Sequence, residues 1–129
     1  MNGSYLLDTN IAIAVLEREE GIEERLATAS ETFLPGVVVG ELYFGAWKSA
    51  RVSENLARVE EFVSDQAVLL SDLPVAREYG AIKAELRQKG RPIPENDIWV
   101  AATARHHGLV LISRDRHFEE VEDLRVQVW

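Results

Sequence analysis

There is no cysteine in the 129 residues. That absence excludes disulfide staples, thiolate-held metals and a cysteine nucleophile. It fits a reducing compartment, and a cytoplasmic location is expected. Long apolar runs are missing as well. None approaches the roughly 20 residues a membrane helix needs, so no membrane partner is expected. Met1-Asn2-Gly3-Ser4 has no basic residue, and the apolar run after it is far too short for a secretory leader. Positive charge is also scarce. The formal net charge of −8 argues against binding nucleic acid through overall charge. No repeat, low-complexity tract or linker interrupts the chain, so a single domain over 1–129 is expected. Its length is enough to bury a core without staples. The 47% apolar and 28% charged content is that of an ordinary globule.

What is present is an alternation of short apolar runs and helical patterns. Tyr5-Leu6-Leu7 is an apolar run that stops at Asp8 and turns at once into a helix with Ile11, Val15 and Leu16, capped by Asp8 or Thr9. Gly21 breaks that helix, and Ile22 to Ala29 forms the next. Thr32 to Leu34 reads as a strand, punctuated by Pro35-Gly36. Val37 to Ala50 fits a broadly buried helix, although three successive valines also suit a strand. Ser53 to Ser64 is a helix with Ser53 as its N-cap, and Ala67 to Leu70 a strand. A long helix from Leu73 to Lys89 closes at Gly90. Pro92 and Pro94 stretch the following loop. Asp97 to His107 is a helix stopped by Gly108. Leu109 to Ile112 and Val126 to Trp129 are the last strands. This order implies an α/β domain, three-layered α/β/α, with a mostly parallel sheet of four or five strands.

Four acids stand where such a sheet gathers its functional groups. Asp8 ends the first strand. Glu41 lies early in a helix among Val38, Val39, Leu42 and Phe44. Asp97 is in a first helical turn, and Asp115 follows a strand by three residues. Strand ends, and the helix starts that follow them, share one edge of a parallel sheet, where ligands bind. Carboxylates brought together repel unless protons or cations neutralise them. Hard divalent cations take oxygen ligands, and Mg²⁺ often works with one or two carboxylates, water and substrate phosphates. Such a centre can drive phosphodiester hydrolysis. Each acid also has a structural reading. Asp8 and Asp115 suit helix caps, and Asp97 suits the positive end of a helix dipole. Glu41, set among apolar neighbours, is the hardest to explain that way. Thr9 and Ser113 could hold a phosphate or a metal-held water, and Asn10 could orient a carboxylate. Arg114 could grip a phosphate, as could Arg116 or Lys48. The tryptophans Trp47, Trp99 and Trp129 read as core or interface residues, and Tyr43 and Phe44 as packing. From Arg77 to Arg116 there are eight basic residues against five acidic ones, a local basic excess in an acidic chain.

Four blocks together resemble the PIN-domain family, and within it the VapC-type toxins of toxin–antitoxin pairs. They are Leu7-Asp8-Thr9-Asn10, Gly40-Glu41-Leu42, Asn96-Asp97-Ile98-Trp99-Val100-Ala101-Ala102-Thr103-Ala104, and Ile112-Ser113-Arg114-Asp115 with Phe118. The resemblance implies a Mg²⁺- or Mn²⁺-dependent endoribonuclease. Asp8 and Asp97 match the principal metal ligands, Asp115 completes the site, and Glu41 matches the fourth acid. Ser113 matches a position where a small hydroxyl is common. The resemblance further implies a homodimer, a cognate antitoxin whose tail reaches the acidic groove, and a structured RNA substrate. Pro35-Gly36-Val37 departs from the hydroxyl residue expected at the entry to the Glu41 helix. A nuclease of RNA maturation or an RNA-binding relative would keep the same fold. A phosphoacceptor receiver domain is an alternative of another class, but it needs a lysine at a late strand end, and none follows Lys89. An aspartyl phosphatase would need a second Asp two residues after Asp8, where Asn10 stands.

Overall fold

The computed structural model describes residues 3–129. Met1 and Asn2, half of the stretch considered above as a possible leader, lie outside the described residues. The sheet has five strands: β1 (Ser4–Leu7), β2 (Glu31–Pro35), β3 (Ala67–Leu69), β4 (Val110–Ile112) and β5 (Val126–Gln127). Their order is β3-β2-β1-β4-β5, and every pair is parallel. The chain moves outward from the central β1 through β2 to β3, then returns to the other side of β1 through β4. The direction of winding therefore reverses between β1 and β4, and open α/β sheets bind ligands at such a reversal. A receiver domain of the flavodoxin-like class has the order 2-1-3-4-5, so this topology argues against that alternative.

Among the described residues six α-helices complete the fold: α1 (Thr9–Leu16), α2 (Ile22–Ala27), α3 (Gly36–Trp47), α4 (Val52–Ser64), α5 (Leu73–Lys89) and α6 (Glu95–His107). Successive strand residues face opposite sides of a sheet. Leu6 and Leu7 are 0% and 1% exposed, and Leu111 and Ile112 are both fully buried. Both faces of the central strands are therefore covered, as expected of three layers. Right-handed crossovers assign α1 to α4 to one face and α5 and α6 to the other. No helix among the described residues is long and apolar enough to cross a membrane.

Local chemistry accounts for most element boundaries. Asp72 caps α5 by accepting a hydrogen bond from the Val75 amide, and Gly90 ends that helix with a φ of 66° that suits glycine. The valine run is helical, because Val38, Leu42 and Ala46 place one stripe into the core. Pro35 ends β2, and α3 starts at Gly36 without an intervening loop. A Cβ at Gly36 would lie 3.1 Å from the Leu70 side chain, so glycine suits the approach to the end of β3.

Some boundaries differ from the sequence expectation. Ser53 is not an N-cap; Arg51 holds that position, and α4 begins at Val52. The polar link is made by Ser49 instead. Its hydroxyl donates to the Ala46 carbonyl at 2.6 Å and accepts from the Asn55 amide group at 2.9 Å, joining the end of α3 to α4. β5 stops at Gln127 and does not reach Trp129, whose ring meets Tyr5 edge-on at 5.2 Å. Phe44 and Trp47 are each 64% exposed, so neither is a core residue of this chain.

Candidate active site

The site starts at the reversal point. β1 and β4 pair through Leu7 and Ile112. The next residue of each strand carries a functional side chain, which puts Asp8 beside Ser113. The Asp8 amide still donates to the Ile112 carbonyl at 3.0 Å, while its own carbonyl accepts from the Ile11 and Ala12 amides of α1. Asp8 thus ends the strand and opens the helix. Its side chain is not used as a cap. The buried Asp8 carboxylate accepts from the Ser113 hydroxyl at 2.7 Å and weakly from the Asn10 amide group at 3.4 Å. The Asn10 side-chain oxygen accepts from the Arg114 backbone amide, which ties the start of α1 to the end of β4.

The other acids face the same edge. Asp97 enters from the first turn of α6. Asp115 caps a 3-10 turn, Arg116–Glu120, by accepting from the His117 amide at 2.9 Å. The His117 imidazole Nδ1 lies 3.0 Å from an Asp97 oxygen and 2.9 Å from an Asp115 oxygen. One donor atom from each of Asp97, Asp115 and His117 falls within 4.8 Å of the other two. Asp8 and Glu41 stand outside that compact trio but are coupled to it by charge.

Burial raises the Asp8 pKa; the Ser113 hydroxyl and Thr9 amide oppose the rise, and the Asp115 charge adds to it. Burial also raises Glu41, opposed by the Thr9 side chain and reinforced by Asp8 and Asp97. Asp97 is raised by burial too; His117 opposes this, while Asp8 and Asp115 reinforce it. His117 is raised chiefly by its bond to Asp97 and further by the charges of Asp115 and Asp97, against the opposing effect of burial. The carboxylates therefore sense one another from four separate segments, and one imidazole cannot balance them.

The chemistry of the donors fits a cation. Carboxylate oxygens dominate, with one imidazole nitrogen and no sulfur, a set suited to a hard or borderline divalent ion. Thr9 adds a second sign. Among the described residues, its buried hydroxyl has no hydrogen-bond partner. It lies near enough to Glu41 to favour that carboxylate's ionised form, yet the pair falls short of hydrogen-bond geometry. A buried polar group without a partner calls for an explanation such as an ion or its water.

Arg114 is placed differently from the sequence expectation. Its guanidinium forks onto Glu19 and donates to the Trp129 carbonyl at 3.0 Å. That guanidinium is already committed to acceptors within the chain. Ser113, 1% exposed, serves the Asp8 carboxylate and accepts from the Asp115 amide at 3.0 Å. His117 carries no sequence pattern that marks it as a site residue. The available signal was its position two residues after Asp115 and one before Phe118, which is 1% exposed and anchors the turn.

A family model described as PIN domain matches residues 5–124. The ribonuclease VapC2 of Haemophilus influenzae is 41% identical over 128 residues, covering 97% of both chains. The tRNA(fMet)-specific endonuclease VapC of Shigella flexneri is 37% identical with the same coverage. The solved DNA-bound VapBC complex of Salmonella typhimurium contains a chain that superposes with a TM-score of 0.92 at 36% identity, covering 100% of this chain and 99% of that one. VapBC-1 of nontypeable Haemophilus influenzae gives 0.89 at 30% identity, covering 98% of each. With the family pattern matched from β1 to the 3-10 turn and near full-length relatives at this identity, the chain belongs to the PIN-domain family, in its VapC branch.

Proposed function

We propose that this chain is a divalent-metal-dependent endoribonuclease and the toxin of a toxin–antitoxin pair, acting in the cytoplasm as one domain over 1–129. One observation carries the catalytic part of the reading. Asp8, Glu41 and Asp97 gather with Asp115 at the reversal point of the sheet, and the proton affinities of the first three are raised, first by burial and then by the charge of neighbouring acids. Asp8, Asp97 and Asp115 would hold the cation, which is Mg²⁺ or Mn²⁺, and Glu41 is the remaining acid. When bound, the ion supplies activation of an attacking water and stabilises the charge gathering on the phosphodiester. Ser113 and Asn10 fix the orientation of Asp8. The unpartnered Thr9 hydroxyl, buried beside Glu41, would serve an ion-held water at that carboxylate. His117 joins Asp97 to Asp115 and limits their spread.

The named relatives include a tRNA-specific endonuclease, so a structured RNA such as tRNA is the substrate class proposed here. Solved neighbours are VapBC complexes, which supports a cognate antitoxin as partner. A cavity of about 210 Å³ between α1, α3 and α4 is mostly apolar, lined in part by Ile13, Leu42 and Val59, and has Glu41 in its wall. It would accept an antitoxin tail carrying a cation. The exposed Phe44 and Trp47 of α3 offer apolar area for association, including a homodimer.

The test is direct. Purified protein with Mg²⁺ or Mn²⁺ is expected to cut RNA internally, chelation to stop it, and fresh metal to restore it. Expression alone should arrest growth, and co-expression of the protein encoded beside it should relieve the arrest. Absence of cleavage with either metal, together with harmless expression, would overturn the reading.

A further inference from the structure

A second groove opens beside the acid cluster. It has a volume of about 470 Å³ and lies between the α5–α6 loop, with Gly90 and Arg91, and the 3-10 turn, with Arg116 and His117. His117 is common to both places: it lines the groove, and its imidazole touches Asp97 and Asp115. The groove therefore runs up to the carboxylates. Its walls are tied together. The Lys89 ammonium donates to the Glu120 carbonyl at 2.6 Å, and Gly90 turns the chain there with a positive φ.

The cations of α5, α6 and the end of β4 divide sharply. Arg114 is taken by Glu19, Arg105 by Glu78 and Glu85, and Lys83 by Glu95. Arg91 is exposed, and among the described residues its side chain has no hydrogen bond or ion pair. Arg116 has only a 3.4 Å pair with Glu119, three residues on, with the two side chains 87% and 62% exposed. Exposed pairs of that kind are weak, so a phosphate can take the guanidinium from it. Glu119 and Glu120 are the acids lining this groove. They equal Arg91 and Arg116 in number, and Lys89 is not part of the lining, its ammonium being held by the Glu120 carbonyl. What sets the groove apart is the pair of exposed guanidinium groups that no buried carboxylate holds, next to the acid cluster.

We infer that this groove carries the phosphodiester backbone of the RNA next to the cut site, with Arg91 and Arg116 each pairing with a phosphate. The inference rests on the ribonuclease reading and names the backbone-holding surface for it. Arginine suits the task through its fork of donors, and the contact carries no sequence preference.

The experiment measures binding of two unrelated single-stranded RNA oligonucleotides against salt concentration, in an Asp97→Asn background that prevents turnover. Neutralising each phosphate contact on a single strand changes the slope of log K against log salt by about 0.7. Arg91→Gln and Arg116→Gln should each flatten the slope by about 0.7, and the double variant by about 1.4. The loss should be the same factor for both sequences. Both residues are exposed, and unchanged melting curves would show that the fold is kept. An unchanged slope in the double variant, with RNA still bound, would overturn the groove while leaving the nuclease reading intact. A loss confined to one sequence, or to antitoxin binding, would also overturn it. If the wild-type chain neither binds nor cuts RNA, both readings fall together.

Discussion

Helix α6 carries a charged centre at each end, and the two behave in opposite ways. Near its C-terminus, Arg105 is mostly buried between Glu78 and Glu85 of α5 and also donates to the Glu122 carbonyl at 3.1 Å. Burial alone would lower the Arg105 pKa, but the two glutamates outweigh it and raise the value. The buried charge is stabilised in place. Near the N-terminus, Asp97 is half-buried among other acids, and its pKa rises, first through burial and further through the charges of Asp8 and Asp115, which His117 only partly opposes. One end is self-neutralising; the other is short of positive charge. Burial therefore does not separate a structural polar cluster from a functional one. The unpaid balance of charge does.

The sharpest way to break that contrast is Asp97→Asn. Partners of metal ligands typically cost tenfold to a hundredfold in affinity or activity, so losing a ligand should lower RNA cleavage by more than about a hundredfold. Metal-free melting temperature should stay the same or rise, because a disfavoured charge has been removed. A large drop in stability would show that Asp97 is a structural residue like Arg105.

Arg105→Ala tests the other end. Breaking a fully buried ion pair costs about 3–5 kcal/mol. Here the glutamates are 30% and 39% exposed, so about 2–3 kcal/mol is expected. That corresponds to a fall of roughly 10 °C in melting temperature. The specific activity of the folded fraction should be close to wild type.

Ser113→Ala sharpens the comparison at the Asp8 side. Without the 2.7 Å hydrogen bond, Asp8 ionises less readily and is less well aimed. Calorimetry should show metal affinity reduced by about tenfold to a hundredfold. Equal affinity would mean that Asp8 does not bind the metal.

The smallest effect is on pH dependence. Asp8, Glu41 and Asp97 bind protons more tightly in the folded chain than when unfolded. Their carboxyl groups therefore favour folding most at low pH, and that stability is lost as pH rises through the raised values. His117 is also raised, and its contribution is present below its unfolded value and lost above the folded one. The exposed Glu19 and Glu95 are lowered and act in the opposite sense, but in the acid range below that window. Metal-free protein should thus melt a few degrees lower at about pH 8 than at about pH 5, and Mg²⁺ should flatten the profile. A metal-free profile that rises with pH would count against the acid cluster.

The sheet and the acidic edge were legible because both depend on local pattern. A short apolar run ending at Asp8, or at Ser113 and Asp115, already announces a strand end. Side-chain commitments were not legible in that way. Arg114 is a candidate phosphate ligand until Glu19, far away in sequence, is folded against it. His117 matters because its turn swings it between Asp97 and Asp115, and no periodicity encodes that. Ser53 has the chemistry of a cap, but the α3–α4 connection starts the helix one residue earlier. Phe44 sits in an apolar run, yet its position on α3 faces outward.

The pairing of Asp8 with Ser113 has a consequence for when the acid cluster can form. These two side chains are 105 positions apart. A ribosome that has reached Asp97 has already made three of the four acids, but not β4, the serine that steadies the first carboxylate, or the turn that brings the last one home. A nascent or prematurely terminated chain is therefore disarmed by its own topology. On the proposed reading, RNA cutting begins only with the final stretch of synthesis, late enough for an inhibitor made alongside it to be waiting.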